Sequence, residues 1–207
     1  MPQIMKSLAI ATGMLLTLAL PYAASAAPLP TEEALEDRVL GDPNAPVTIL
    51  DYSSLTCPHC ATFHNTTLAQ LKKDYIDTGK AKLVFRDFPF DGAALRASQL
   101  TRCAPKERYW GLLDLFFQKQ EQWSRATDPV AALGKLAKLA GLSQSDIDAC
   151  IANERLADGI LAIRQEGEQR YKIESTPTFV LNEGKETISG AQPLDVFAKA
   201  IDKLAKK

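Results

Sequence analysis

Two apolar runs separated by one helix-length segment constrain this chain most. "APVTILDYSS" alternates Val47, Ile49 and Asp51 against Thr48, Leu50 and Tyr52. Both sets are mostly apolar, as in a strand buried on both faces. From Pro58 onward Phe63, Thr67, Leu68, Leu71 and Tyr75 recur at intervals of three or four, the spacing of one helix face, until Gly79 ends the run. "AKLVFRDFPF" supplies a second strand, stopped by Pro89. Strand, helix and strand in this order form a βαβ signature.

Beyond Asp91 the pattern changes. "AALRASQLTRCA", "KERYWGLLDLFFQKQEQW", "PVAALGKLAKLA" and "SQSDIDACIANERLADGILAIRQEGEQRY" read as four helical stretches with no strand among them. Tyr109, Trp110, Phe116 and Phe117 form an aromatic stripe suited to a core. "TPTFVLNEGKETISG" then predicts a hairpin turning at Glu183-Gly184. The last helix, "PLDVFAKAIDKLAKK", starts at Pro193 and places Leu194, Phe197, Ile201 and Leu204 on one face. The expected architecture is α/β: a βαβ part over 27–90, a helical insertion over 91–170 and a ββα part over 171–207.

Residues 1–26 stand apart from this plan. Lys6 precedes an apolar run from about Leu8 to Leu20, Pro21 breaks it, and Ala24-Ser25-Ala26 offers small residues for cleavage. This is the pattern of a secretory signal peptide, and the apolar run is short for a membrane span of ~20 residues. The mature product is expected to start at Ala27 as a soluble protein in an oxidising compartment. All four cysteines fall within it, an even number compatible with two disulfides. The formal net charge of −1 gives no reason to expect a nucleic-acid partner or an anionic membrane surface.

"SSLTCPHCATFH" joins the first strand to the first helix and carries Cys57 and Cys60. A structural zinc site needs four ligands; this pair supplies two, and the only histidines, His59 and His64, adjoin it. No metal or other cofactor is expected, although a two-thiolate copper(I) site stays open as an alternative. A disulfide closing so small a ring removes little chain entropy, which disfavours a purely structural bridge. Redox chemistry has a physical basis. With Pro58 as the first helical residue, Cys57 is the N-cap, beside unpaired backbone N–H groups at the positive end of the helix dipole. Such settings lower a thiol pKa to roughly 3.5–7.5 and make it a nucleophile. Cys60, one turn on, can resolve the mixed disulfide that Cys57 forms.

His59 offers a further donor, and when protonated a charge, beside the Cys57 sulfur. His64 reads as an ordinary residue on the helix surface. Asp51 is a carboxylate in an otherwise apolar strand, costly unless hydrated or paired. Desolvation there suits it to exchange a proton with Cys60.

With "GDPNAPVTILDYSSLTCPHC" and "STPTFV" flanking a helical insertion, the chain resembles the DsbA family of thioredoxin-fold thiol–disulfide oxidoreductases. The resemblance implies Cys57 as nucleophile, Cys60 as resolving cysteine and Asp51 as the buried acid. It also implies Pro177 as a cis-proline facing the pair, with Thr176 lending backbone hydrogen bonds to substrate. It further implies a periplasmic oxidase acting on reduced or unfolded secreted proteins, reoxidised by a membrane quinone-linked partner of the DsbB type. Threonine before this proline equally resembles the disulfide isomerases, but those resemble dimers built on an N-terminal domain. Only about twenty residues separate Ala27 from the first strand, against the roughly 50 that a domain needs, which favours a monomeric oxidase. An isomerase or reductase kept reduced, and a copper-binding or holdase-like dithiol module, remain the alternatives. Cys103 and Cys150 fall in the insertion, where an oxidising compartment favours a disulfide over two buried thiols. Closing that loop of about 48 residues is worth roughly 4 kcal/mol on the chain-entropy model.

Overall fold

Branched and aromatic residues dominate 47–53 and fill the centre of 81–87 at Leu83, Val84 and Phe85, and both segments are strands, β2 (Val47–Ser53) and β3 (Ala81–Asp87). They pair in parallel from Val47↔Ala81 to Ser53↔Asp87. The structure, a computed structural model, describes residues 28–206; the signal-peptide reading of residues 1–26 lies outside the described residues. A continuous helical run over 58–76 links β2 to β3. It widens to π geometry at Phe63–Thr67 and again at Lys72–Ile76. β4 (Thr178–Leu181) lies antiparallel to the other edge of β2, and β5 (Glu186–Ser189) hairpins back onto β4.

A two-residue strand, β1 (Val39–Leu40), adds antiparallel to β3 and completes the order β1-β3-β2-β4-β5. Neither β1 nor the short helix Thr31–Ala34 before it is expected from the sequence. The hairpin turns through Asn182–Gly184, at the expected place.

Among the described residues no strand interrupts the stretch between β3 and β4. Its helices include Gly92–Cys103, Tyr109–Gln118, Gln120–Ser124 and Pro129–Leu139. The expected single helix over 143–171 is two helices, Gln144–Ala152 and Glu154–Tyr171. The break has a local cause. Asn153 leaves helical geometry, and its Oδ1 accepts from the Leu156 backbone N–H at 3.0 Å, capping the second helix. That helix approaches the sheet closely at Gly167, where a Cβ would come within 2.6 Å of Tyr52.

One core lies under the helical run and the last helix Leu194–Ala205, around Val47, Ile49, Phe63, Phe179 and Phe197. A larger one joins the insertion to the active-site region, through Cys60, Phe85, Leu112, Phe116, Phe117 and Trp123. A buried ion pair fastens the two parts. Arg102 Nε lies 2.5 Å from Asp87 Oδ2 at the end of β3, and Arg102 Nη1 donates to the Ala34 carbonyl at 3.0 Å. Among the described residues no helix is long and apolar enough to cross a membrane.

Candidate active site

The site forms where β2 gives way to the helical run. Cys57 has extended backbone angles at the N-cap, and Pro58, whose fixed φ suits the first helical position, starts the helix. The Ala61 N–H donates to the Cys57 carbonyl at 3.1 Å, and the Cys57 N–H to the Ser54 carbonyl at 3.1 Å. Both cysteines are reduced; Cys57 is half-buried and Cys60 is fully buried.

The Thr176–Pro177 peptide bond is cis and immediately precedes strand β4. The Cys57 Sγ lies 3.4 Å from the Thr176 carbonyl oxygen, to which its thiol form donates. The Thr176 hydroxyl meets no hydrogen-bond partner among the described residues apart from the two sulfurs.

Geometry sets the two thiols far apart in acidity. The Cys57 pKa is lowered to about 5, first by a hydrogen bond from the Cys60 thiol. Desolvation opposes this, while Thr176 and the backbone N–H groups of Cys60 and His59 reinforce it. The Cys60 thiol is pushed well above the ordinary range, first by burial, then by its bond to Cys57 and the nearby Cys57 charge. The ring of His59 is exposed; what His59 supplies to Cys57 in this structure is its backbone N–H.

Asp51 has no exposed surface, and its buried cost is met by two partners. Its Oδ1 accepts from the Ser53 hydroxyl at 2.5 Å, and its Oδ2 lies 2.8 Å from His64 Nε2. The Ser53 hydroxyl that donates to Asp51 also favours the Cys60 thiolate, against the larger effect of burial.

His64 is a correction. It is not on the helix surface: its side chain is 1% exposed. The ring stacks on Phe117 at 4.1 Å between centroids and meets Phe63 and Phe85 edge-on. One signal for this was present. His64 follows Cys60 by four residues and so shares the face of the helix that carries Cys60 inward.

Sequence reasoning also missed Gln120, Thr56 and Asp91. Gln120 donates to the carbonyls of Leu55 and Cys57. Thr56 Oγ1 donates to Asp91 Oδ2 at 2.7 Å, and Asp91 in turn caps the helix Gly92–Cys103 through the Ala94 N–H. The insertion thus grips the active-site loop from two sides. Deeper in the insertion, Cys103 and Cys150 are bonded, with 6.1 Å between their Cα atoms. Among the described residues no group of three or more His, Cys, Asp or Glu side chains is placed to hold a metal ion.

Known proteins are similar to this chain. The family model described as Thioredoxin matches residues 33–203. The crystal structure of α-DsbA1 from Wolbachia pipientis is 32% identical, with a TM-score of 0.75, over 87% of this chain and 94% of that one. The chain belongs to the DsbA branch of the thioredoxin family. Disulfide bond formation protein D of Bacillus subtilis is 28% identical over 177 residues, 81% of this chain and 77% of that protein. A relative in Rickettsia conorii, provisionally named a protein-disulfide oxidoreductase, is 31% identical over 168 residues. These cover 81% of this chain but 60% of that relative, so the chain spans about three fifths of its length. The DsbA-type fold, with its helical insertion between β3 and β4, is the one expected from the sequence.

Proposed function

We propose that the chain is a protein thiol–disulfide oxidoreductase that donates its Cys57–Cys60 disulfide to cysteines of secreted proteins. The observation that carries this reading is the inequality of the two sulfurs, a half-buried Cys57 lowered to about 5 beside a buried Cys60 raised far above it.

A substrate thiolate attacks Cys57 Sγ, the accessible member of the disulfide. The Cys57–Cys60 bond breaks, its electron pair leaves on Cys60, and Cys60 takes up a proton. A second substrate thiolate then attacks the substrate sulfur of the mixed disulfide, and Cys57 leaves as a thiolate. Two substrate thiols have become one disulfide, and the protein holds the two electrons. A stabilised Cys57 thiolate speeds this last departure and favours the reduced protein, which makes the disulfide a strong oxidant. The Thr176 carbonyl lies against the Cys57 sulfur with the cis-Pro177 next in the chain, and the substrate backbone would run along them.

The reading extends to a monomer working in the periplasm after removal of residues 1–26, reoxidised by a quinone-linked membrane partner of the DsbB type. The test is the redox state of Cys57 and Cys60 in growing cells, trapped by acid and thiol alkylation. An oxidised pair is the expected result. A reduced pair overturns the donor direction and favours an isomerase or reductase.

A further inference from the structure

The exchange chemistry leaves the buried His64 without a task. Its Nε2 faces Asp51 at 2.8 Å, Asp51 accepts from the Ser53 hydroxyl, and the Ser53 side chain lowers the Cys60 pKa against the larger effect of burial. The other ring nitrogen, Nδ1, is buried with no hydrogen-bond partner among the described residues. An orphaned polar atom in a core is unfavourable, and an apolar side chain against Phe117, Phe85 and Phe63 would avoid that cost. His64 also lines a cleft of about 540 Å³, walled by Leu40, Leu68, Lys72, Trp110 and Asp114. Across Asn65 and Gln118 this cleft adjoins the groove beside the active-site loop, which Pro58, Ala61 and Thr62 line.

Cys60 needs such a connection. It leaves as a thiolate in the first exchange step, yet it has no exposed surface from which to take a proton from water. We propose that His64 is the outer member of a buried proton relay, running from the cleft through His64, Asp51 and Ser53 to the Cys60 sulfur. The inference rests on the proposed exchange by Cys57 and Cys60 and deepens it.

For each Cys60 thiolate expelled, one proton reaches the buried Nδ1 by way of a water that enters from the cleft His64 lines, and one passes from Nε2 to Asp51. One then passes by way of the Ser53 hydroxyl to Cys60. Asp51 and Ser53 end as they began, the ring changes tautomer, and no electron moves. Reoxidation runs the same path outward. On that path Cys60 returns its proton by way of Ser53 and Asp51 to Nε2, Nδ1 releases one to the cleft, and the ring recovers its first tautomer.

The charged groups facing the ring are Asp51 from β2, Asp114 from the helix Tyr109–Gln118 and Lys72 from its own helix. β3 presents Phe85 and β1 presents Leu40, both uncharged. The Asp114 carboxyl is raised by burial, an effect that His64 opposes, so the two groups sense each other across the cleft wall. The stack on Phe117 and the edge contacts to Phe63 and Phe85 hold the ring in place for this work.

The test uses the oxidised, full-length mature protein and a reduced dithiol peptide, followed in single-turnover reactions across pH. His64→Gln keeps a donor for Asp51 but cannot pass a proton on. The expected result is a first exchange step slowed at least tenfold with an altered pH profile, while the Cys57 pKa stays at its wild-type value. Imidazole added to His64→Ala, which opens the ring site to the cleft, should restore the rate. A His64→Gln profile that overlays the wild type, or a folded His64→Ala unaffected by imidazole, overturns the relay. Should both variants fail to fold, wild-type protein with 15N-labelled histidine decides. His64 ring signals that differ between the oxidised and reduced forms support the relay, and identical ones overturn it. Cys57→Ser separates the two levels. A Cys57→Ser protein that still oxidises the peptide sinks the functional reading, whereas an inert Cys57→Ser beside an unaltered His64→Gln sinks the relay alone.

Discussion

Gln120 donates from Nε2 to the Cys57 carbonyl at 2.9 Å, so a residue of the helical insertion holds the backbone of the nucleophile. The same amide nitrogen donates to the Leu55 carbonyl at 2.8 Å, two residues upstream. Both ends of the turn that presents Cys57 therefore depend on one side chain that is 5% exposed.

Gln120→Leu removes this donor, strands the Leu55 carbonyl and leaves the Cys57 carbonyl with the Ala61 N–H alone. The expected loss is about 1–3 kcal/mol of stability, the cost of buried polar groups left unpaired. Urea unfolding of the oxidised variant measures it. An unchanged midpoint would mean that water replaces the amide and that the insertion does not hold the loop.

The Cys60 thiol is the largest single contributor to the low Cys57 pKa. Cys60→Ala should therefore raise the Cys57 pKa above about 5, even though the helix N-terminus is untouched. Titration of thiolate absorbance reads the change directly; a value that does not move would assign the effect to the backbone. Cys60→Ser should accumulate mixed disulfides through Cys57, because the resolving sulfur is gone, and Cys57→Ser should form none. Mass spectrometry after incubation with a disulfide-bonded peptide, whose bond the Cys57 thiolate attacks to leave one peptide sulfur on Cys57 and the other as a free thiol, distinguishes the two.

The same shifts predict how stability depends on pH. Cys57 has a folded pKa depressed from the thiol range to about 5, so its contribution is fully present above the unfolded thiol value. It is lost as pH falls through about 5. Cys60 is shifted the other way, and its contribution weakens only once pH exceeds the ordinary thiol pKa of ~8.5. Between those limits the reduced protein should gain stability with rising pH relative to the oxidised protein, which has no thiol to titrate. Paired denaturant titrations of the two forms at several pH values test the sign. A difference that stays flat from pH 5 to ~8 removes the Cys57 thiolate as a stabilising group.

The order of elements was legible where a period ran long enough and was bounded on one side by a proline or glycine. That held for 47–53, for the run from Pro58 and for the hairpin at Glu183-Gly184. It failed where an element was too short to show a period, as at Val39–Leu40. It failed again where one periodicity continued through a break. Ile147 and Cys150 before Asn153, and Leu156 and Ile160 after it, keep helical spacing, so only the capping bond at Asn153 reveals two helices. In the site, the Cys57–Cys60 spacing and Pro58 were local and readable. The environment of Asp51 was not, because its partner His64 comes from another element, thirteen positions away along the chain. Gln120 was less readable still, since its acceptors are backbone atoms, which leave no mark on a sequence pattern.

The Cys103–Cys150 bond ties the helix Gly92–Cys103 to the helix Gln144–Ala152, and both cysteines are buried. Replacing both by alanine should lower the stability by up to roughly 4 kcal/mol on the chain-entropy estimate. Thiol–disulfide exchange should persist, because neither sulfur belongs to the Cys57–Cys60 pair. Thermal unfolding and oxidation of a reduced peptide are the two measurements. Lost exchange at unchanged stability would instead give the second pair a redox role.

His59 divides its influence between an exposed ring and a backbone N–H that favours the Cys57 thiolate. His59→Ser removes the ring and keeps the N–H. If the backbone and the Cys60 thiol dominate, the Cys57 pKa should rise by less than about one unit. The redox potential should then move only slightly toward more reducing values, each ~30 mV corresponding to about 1.4 kcal/mol for a two-electron couple. The sign follows from the thiolate: any group whose loss destabilises it also destabilises the reduced protein and weakens the oxidant. Titration of thiolate absorbance, with equilibration of the same sample against glutathione, gives both values. A pKa returned to the ordinary thiol range would place the main stabilisation on the ring, and the geometry around Cys60 and the helix N-terminus would then be secondary.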